Sequence, residues 1–216
     1  MSDRWYVEHD GRVLVTHDGD TITLPAEDEV TVPVQRYNER TLRGTAVVFG
    51  QAELDEHPHE WPRKDDLVHD PDSSRLLRHA ISASLFRPVC GVVVRNGDEI
   101  LLVKPKRGVA SGVWTLPGGF LHAFEQPAEG ARREVREETG LEITDVSLEA
   151  TVSYTHDTQP YPILGLGFTA HPASEDIQLQ AGEIDDAKWE PAEAAVEHSY
   201  GLARKVLRDL LEGSSP

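Results

Sequence analysis

From Arg87 onward the chain alternates apolar runs with turn signals. PVCGVVVRNGDEILLVKPK carries two such runs around Asn96-Gly97, a dipeptide that tolerates the positive φ a tight hairpin needs, and so predicts two strands. After GVWTLPGGF the period changes: Ala128, Ala131 and Val135 recur at helical spacing as a narrow apolar stripe. Pro127 suits the first turn of a helix, whose amides need no partner within it, and Gly140 suits the left-handed position just past the end. The helix is therefore expected from about Pro127 to Thr139. LEATVSYTH, GLGFTAHP and IDDAKWEP then read as strands, and Leu202, Ala203, Val206, Leu207, Leu210 and Leu211 as the stripe of a last helix ending at Gly213. A mixed sheet between helices follows.

The N-terminal part has a different rhythm. WYVEHDGRVLVTHDGDTITLP alternates apolar and polar residues around two Gly-containing turns, the pattern of short antiparallel strands, and TLRGTAVVFG adds a further strand. QAELDEHPHEWPRKDDLVHDPDSS is polar, proline-bearing and aperiodic, and reads as a linker or long loop. His57, His59 and His69 lie among its acids; isolated histidines in such a stretch are more often solvated than metal-bound. The expected organisation is a small β-rich domain with its linker over 1–80 and an α/β domain over 81–216, which 216 residues suffice to build.

Charge sharpens the picture. With 38 acidic against 21 basic residues the formal charge is -17, spread through every segment rather than gathered in a tail. Such a surface repels itself and repels nucleic acid in ordinary salt, so no nucleic-acid partner is expected. The distribution resembles that of proteins from salt-loving organisms, where screening over about 3 Å at 1 M makes it tolerable. No apolar run approaches the roughly 20 residues that span a bilayer, and MSDRWYVEHDG lacks the pattern of a secretion signal, so a cytoplasmic protein without membrane attachment is expected. The only cysteine, Cys90, reads as a small apolar residue in a buried strand.

The chemistry lies on the expected helix. Glu134 and Glu138 stack one turn apart with Glu137 beside them, and Arg133, four residues before Glu137, is placed to pair with it. Carboxylates that close repel one another unless a hard divalent cation, Mg2+ or Mn2+, takes them as oxygen ligands. The whole stretch GFLHAFEQPAEGARREVREETGL follows G-x5-E-x7-R-E-V-x-E-E-x-G-L and forms a complete Nudix box; residues from about Arg87 to Gly213 resemble a whole Nudix hydrolase domain. The resemblance implies an α/β/α sandwich with a mixed sheet and Mg2+-dependent cleavage of nucleoside diphosphate derivatives. It also implies metal binding by Glu134, Glu138 and the Gly118 carbonyl, with Glu137 binding metal or polarising water. Arg133 is implied to orient Glu137, and Glu125 to support the loop and the metal-bound waters.

TQPYPILGLGF is similar to the motif that marks NADH pyrophosphatases within that family. Gln159, Pro160 and Pro162 match, Tyr161 stands for a tryptophan and Ile163 for a phenylalanine. Gln159 and Tyr161 are thereby candidates for contacting the nucleotide, as is Lys104 of the basic cluster Lys104, Lys106 and Arg107. GEIDDAKW resembles the segment that places one more glutamate near the metals, which is Glu183 here. Many NADH pyrophosphatases carry a four-cysteine zinc ribbon, and one cysteine cannot build it. The expectation is therefore hydrolysis of NAD(H) to NMN(H) and AMP, with ADP-ribose as the next substrate, a nucleotide-cap hydrolase as a rival and a non-catalytic nucleotide-binding regulator as another. The proton acceptor stays open between Glu137 and Glu183. Residues 1–80 are left two roles, homodimer formation or gating of substrate.

Overall fold

In the computed structural model, which describes residues 3–56, 58–108, 110–154 and 162–212, the chain divides into two units, Met1–Leu85 and Phe86–Pro216. The first unit carries β1 (Arg4–His9), β2 (Arg12–Val13), β3 (Thr16–Asp18), β4 (Thr21–Thr23), β5 (Val34–Leu42) and β6 (Thr45–Ala52). Four of them form a sheet in the order β2-β1-β6-β5, with β1 parallel to β6, while β3 and β4 make a separate hairpin. Alternation buries both faces: Tyr6, Val47 and Phe49 join one apolar cluster, and Trp5, Val7 and Val48 join another.

The stretch expected to be a linker is more ordered than that. It contains α1 (Lys64–His69), whose Leu67 is buried in the first cluster, and is followed by α2 (Arg75–Ser84). Ser74 starts α2 by accepting a hydrogen bond from Leu77 N–H at 3.1 Å, and Leu77, Ala80, Ile81 and Ala83 then enter the same core. Because α2 belongs to that core, the division falls at Leu85, five residues beyond the expected 80.

The second unit contains β7 (Arg87–Asn96), β8 (Glu99–Pro105), β9 (Gly118–Phe120), α3 (Pro127–Thr139), β10 (Ile143–Tyr154), β11 (Ile163–Pro172), β12 (Ile184–Pro191), α4 (Ala192–His198) and α5 (Gly201–Glu212). The sheet runs β10-β11-β7-β8-β12, with β9 also paired to β7; β11 and β7 are parallel and the other neighbours antiparallel. Cys90, Val92 and Val94 pack on one face against Ala131 and Val135 of α3. Val93, Ile100 and Leu102 pack on the other against Ala195 of α4 and Ala203, Val206 and Leu207 of α5. This is the α/β/α sandwich with a mixed sheet. Among the described residues no helix is long and apolar enough to cross a membrane.

Candidate active site

Helix α3 begins and ends where Pro127 and Gly140 place it: Gly140 has φ 72°, and its N–H donates to Arg136 O at 2.9 Å. Ala131 and Val135 are buried, and Glu134 and Glu138, three residues beyond each of them, border that buried stripe. Arg133 is the hub. Its Nε and Nη2 donate to the two Glu125 oxygens at 2.7 and 3.0 Å, and its Nη1 donates to Glu134 Oε1 at 2.7 Å and Glu137 Oε2 at 3.0 Å. The expected pair with Glu137 is therefore present, but it is one of three. The guanidinium fork and the His122 N–H hold the Glu125 carboxyl down at about 2.

Glu138 is held by the backbone instead. Its Oε2 accepts the Gly118 N–H at 3.0 Å, yet burial pushes its carboxyl up to about 8, with the charges of Glu134, Glu183 and Glu137 adding to the rise. Burial also raises Glu134, against the pull of Arg133. The Pro117-Gly118-Gly119 turn that meets these acids leaves no room for side chains. A Cβ on Gly118 would stand 2.1 Å from Cys90 O, and one on Gly119 would stand 2.7 Å from the Glu134 carboxylate. β9 can thus press Gly119 against the helix while Cys90 and Gly91 of β7 pair with it from behind.

Glu183, just before β12, is brought toward the same acids. Arg107 Nη2 donates to its Oε1, and the Gln180 amide, turned to face its acceptors, donates to its Oε2 at 2.9 Å and to Glu137 O at 3.1 Å. Among the described residues no three acidic, histidine or cysteine side chains converge to hold an ion, because Arg133, Arg107 and the Gly118 amide each take a carboxylate. The donor set nevertheless suits a hard cation: oxygens only, with two of the acids raised by burial and mutual repulsion that a positive charge would relieve. Gly118 meets Glu138 through its amide.

Beside Glu138 opens a cavity of about 230 Å³. Its lining includes Gly91, Arg107, Tyr154, Ile163 and Tyr200 as well as Glu138 itself. Lys104 does not line it: the Lys104 ammonium lies 5.9 Å from the Trp114 ring, which also carries Lys188 at 4.2 Å. Arg107 of the same basic cluster does. Gln159 and Tyr161 lie outside the described residues. Cys90 is buried as expected, and burial pushes its thiol up to about 11, which leaves it inert at neutral pH. Tyr154 and Tyr200 were not foreseen. They come from the end of β10 and the turn before α5, and no local motif marks either.

The NUDIX domain family matches residues 85–210. The NAD-capped RNA hydrolase NudC of Pseudomonas putida is 37% identical over 99 residues, which cover 45% of this chain and only 34% of that relative's length. Among solved structures, a MutT NUDIX hydrolase from Burkholderia pseudomallei superposes with a TM-score of 0.52 at 23% identity, covering 58% of this chain and 98% of its own. The NUDIX domain of Shewanella oneidensis NrtR, solved with ADP ribose, superposes with a TM-score of 0.52 at 19% identity, covering 60% and 88%. At those identities the two structures speak for the fold.

Proposed function

The chain belongs to the NUDIX domain family, and from that premise we propose that it is a divalent-cation-dependent pyrophosphohydrolase of nucleoside diphosphate derivatives, with NAD(H) as favoured substrate, cleaved to NMN(H) and AMP. One observation carries the reading: Glu138 lines the cavity, and the charges of Glu134, Glu183 and Glu137 reach it there and add to the rise of its carboxyl. Glu134, Glu138 and Glu137 are the residues that would hold Mg2+ or Mn2+, with Glu183 as a further ligand and the Gly118 carbonyl beside them. A bound cation supplies neutralisation of the diphosphate oxygens and a lowered pKa for the attacking water. Arg133 fixes the rotamers of Glu134 and Glu137 and anchors Glu125 behind them. The proton of the attacking water passes to Glu137 or Glu183, and Arg107, at the cavity edge, is placed to meet a phosphate once it leaves Glu183.

The preference for NAD(H) is supported by the partial match in residues 158–168 and by the name of the Pseudomonas putida relative. That name also favours a second reading, in which the same diphosphate is cut within the NAD cap of an RNA. The net charge of -17 weighs against contacts to the RNA chain and places the free dinucleotide first. Steady-state hydrolysis of NADH, ADP-ribose and NAD-capped RNA with saturating Mg2+ tests the choice. The highest kcat/KM is expected for NADH. A preference for ADP-ribose or for the capped RNA would replace it, and saturable binding without turnover of any of the three would make the chain a nucleotide-binding regulator.

A further inference from the structure

Gly91 in β7 is the register partner of both Gly167 in β11 and Gly118 in β9, so three glycines stand in one row across three adjacent strands. Residues paired directly across a sheet share a face. By alternation Gly91 lies on the face of Val93, which packs with α5. Toward β10 the missing side chains are replaced from the helix. A Cβ on Gly167 would stand 2.7 Å from Val206 Cγ1, and one on Gly165 would stand 2.4 Å from Leu202 Cδ1. Those glycines let α5 seat closely on β11. At Gly91 nothing takes the vacated space: a Cβ there meets only Leu116 Cδ1, at 3.8 Å.

The space above Gly91 is the cavity of about 230 Å³, several times the roughly 30 Å³ share of one water in the liquid. Its walls are Val89, Leu116, Ile163 and Leu202, with the rings of Tyr154 and Tyr200, while Arg107 and Glu138 supply its charges. Apolar walls with aromatic faces suit a flat ring, and the charges suit the phosphate end of the same molecule.

We propose that this cavity seats a flat heteroaromatic ring of the substrate over Gly91, and that Gly91 is the residue that sets which substrates enter. The inference rests on the proposed function for the identity of the ring, which is either the adenine or the dihydronicotinamide of NADH. Any side chain at 91 would occupy the ring's place without disturbing the strand, since no positive φ is required there.

Neutral nucleosides separate this inference from hydrolysis, because without a phosphate they need no cation to approach the acids. Adenosine and reduced nicotinamide riboside are titrated by calorimetry, without divalent metal, into the wild-type protein and its Gly91→Ala and Gly91→Val variants, with thermal melts of each. Wild type is expected to bind one of the two saturably, and which one tells which half of the dinucleotide sits in the cavity. Gly91→Val is expected to weaken that binding about tenfold or more, and Gly91→Ala by a smaller factor, with melts close to wild type. Should the valine variant not fold, the alanine variant alone decides, by weaker binding or by none of the change. Unaltered affinity in a folded variant, or saturable binding of neither nucleoside to wild type, would overturn the proposal. A protein that hydrolyses no diphosphate yet shows the Gly91 dependence would keep it and remove only the enzymatic reading.

Discussion

Arg133 and Glu138 divide the electrostatics of the box between them. Arg133 satisfies three glutamates, whereas Glu138 is left to one backbone amide and a buried position that opposes its charge. Opposite pH signatures follow. Glu138 is raised from the ordinary 4.5 to about 8, so its contribution to stability is present below 4.5 and lost as pH climbs toward 8. Glu125 is lowered to about 2, so its contribution is present above 4.5 and lost as pH falls toward 2. In the presence of a chelator, thermal melts should fall from about pH 5 to pH 8, Glu138→Gln should flatten that limb alone, and Mg2+ should restore it by stabilising the ionised carboxylate. A chelator-treated wild type as stable at pH 8 as at pH 5 would contradict the strained state of Glu138. The same Glu138→Gln should lose at least about a thousandfold in turnover, about 4 kcal/mol of barrier, while keeping its fold. Near-equal rates at saturating Mg2+ would take Glu138 out of the metal site.

Elements were legible where their signals are local. Both ends of α3 followed from Pro127, Gly140 and the stripe between them, and the hairpin at Asn96-Gly97 from its own two residues. The short α1 and α4 span barely two turns, too few to show a period, and their burial rests on Leu67 and Ala195. α2 did carry a signal, the Ser74 cap ahead of Leu77, Ala80 and Ile81, but it adjoins a polar stretch that reads as linker. Glu134, Glu137 and Glu138 were legible because one helix carries them, whereas Glu183, just before β12, was legible only through the resemblance of its segment. The cavity was not, since strands β7 to β11, α3 and α5 share its lining and no periodicity links them. The cap at Gly140 offers a test at this scale. Its φ of 72° and a Cβ position 3.0 Å from Gln178 Cβ both disfavour a side chain, so Gly140→Ala should cost about 1 kcal/mol or more, read as a lowered denaturation midpoint. An unchanged midpoint would show that the end of α3 relaxes freely and does not fix the position of Glu138.

At the scale of the whole molecule, charge outweighs any single contact. The 38 acids face 21 lysines and arginines, and ion pairs such as Arg36 with Glu27 or Arg63 with Asp65 are exposed, where each is worth about 1 kcal/mol or less. The remaining repulsion acts over the Debye length, which shrinks from about 30 Å at 0.01 M salt to about 3 Å at 1 M. Unfolding moves the acids apart, so low salt favours the unfolded chain and high salt relieves the folded one. The exposed pairs are screened too, but the acids without a basic counterpart outnumber them, and the net effect of salt should be stabilising. Thermal melts in KCl from low millimolar to molar should therefore shift upward throughout, most steeply at the low end where the screening length changes most. KCl is the salt to use, because sulfate would also strengthen apolar burial and confuse the two causes. A melting temperature that stays flat or falls across the series would mean that the acids are neutralised locally, and the likeness of this surface to that of salt-adapted proteins would then have no energetic content.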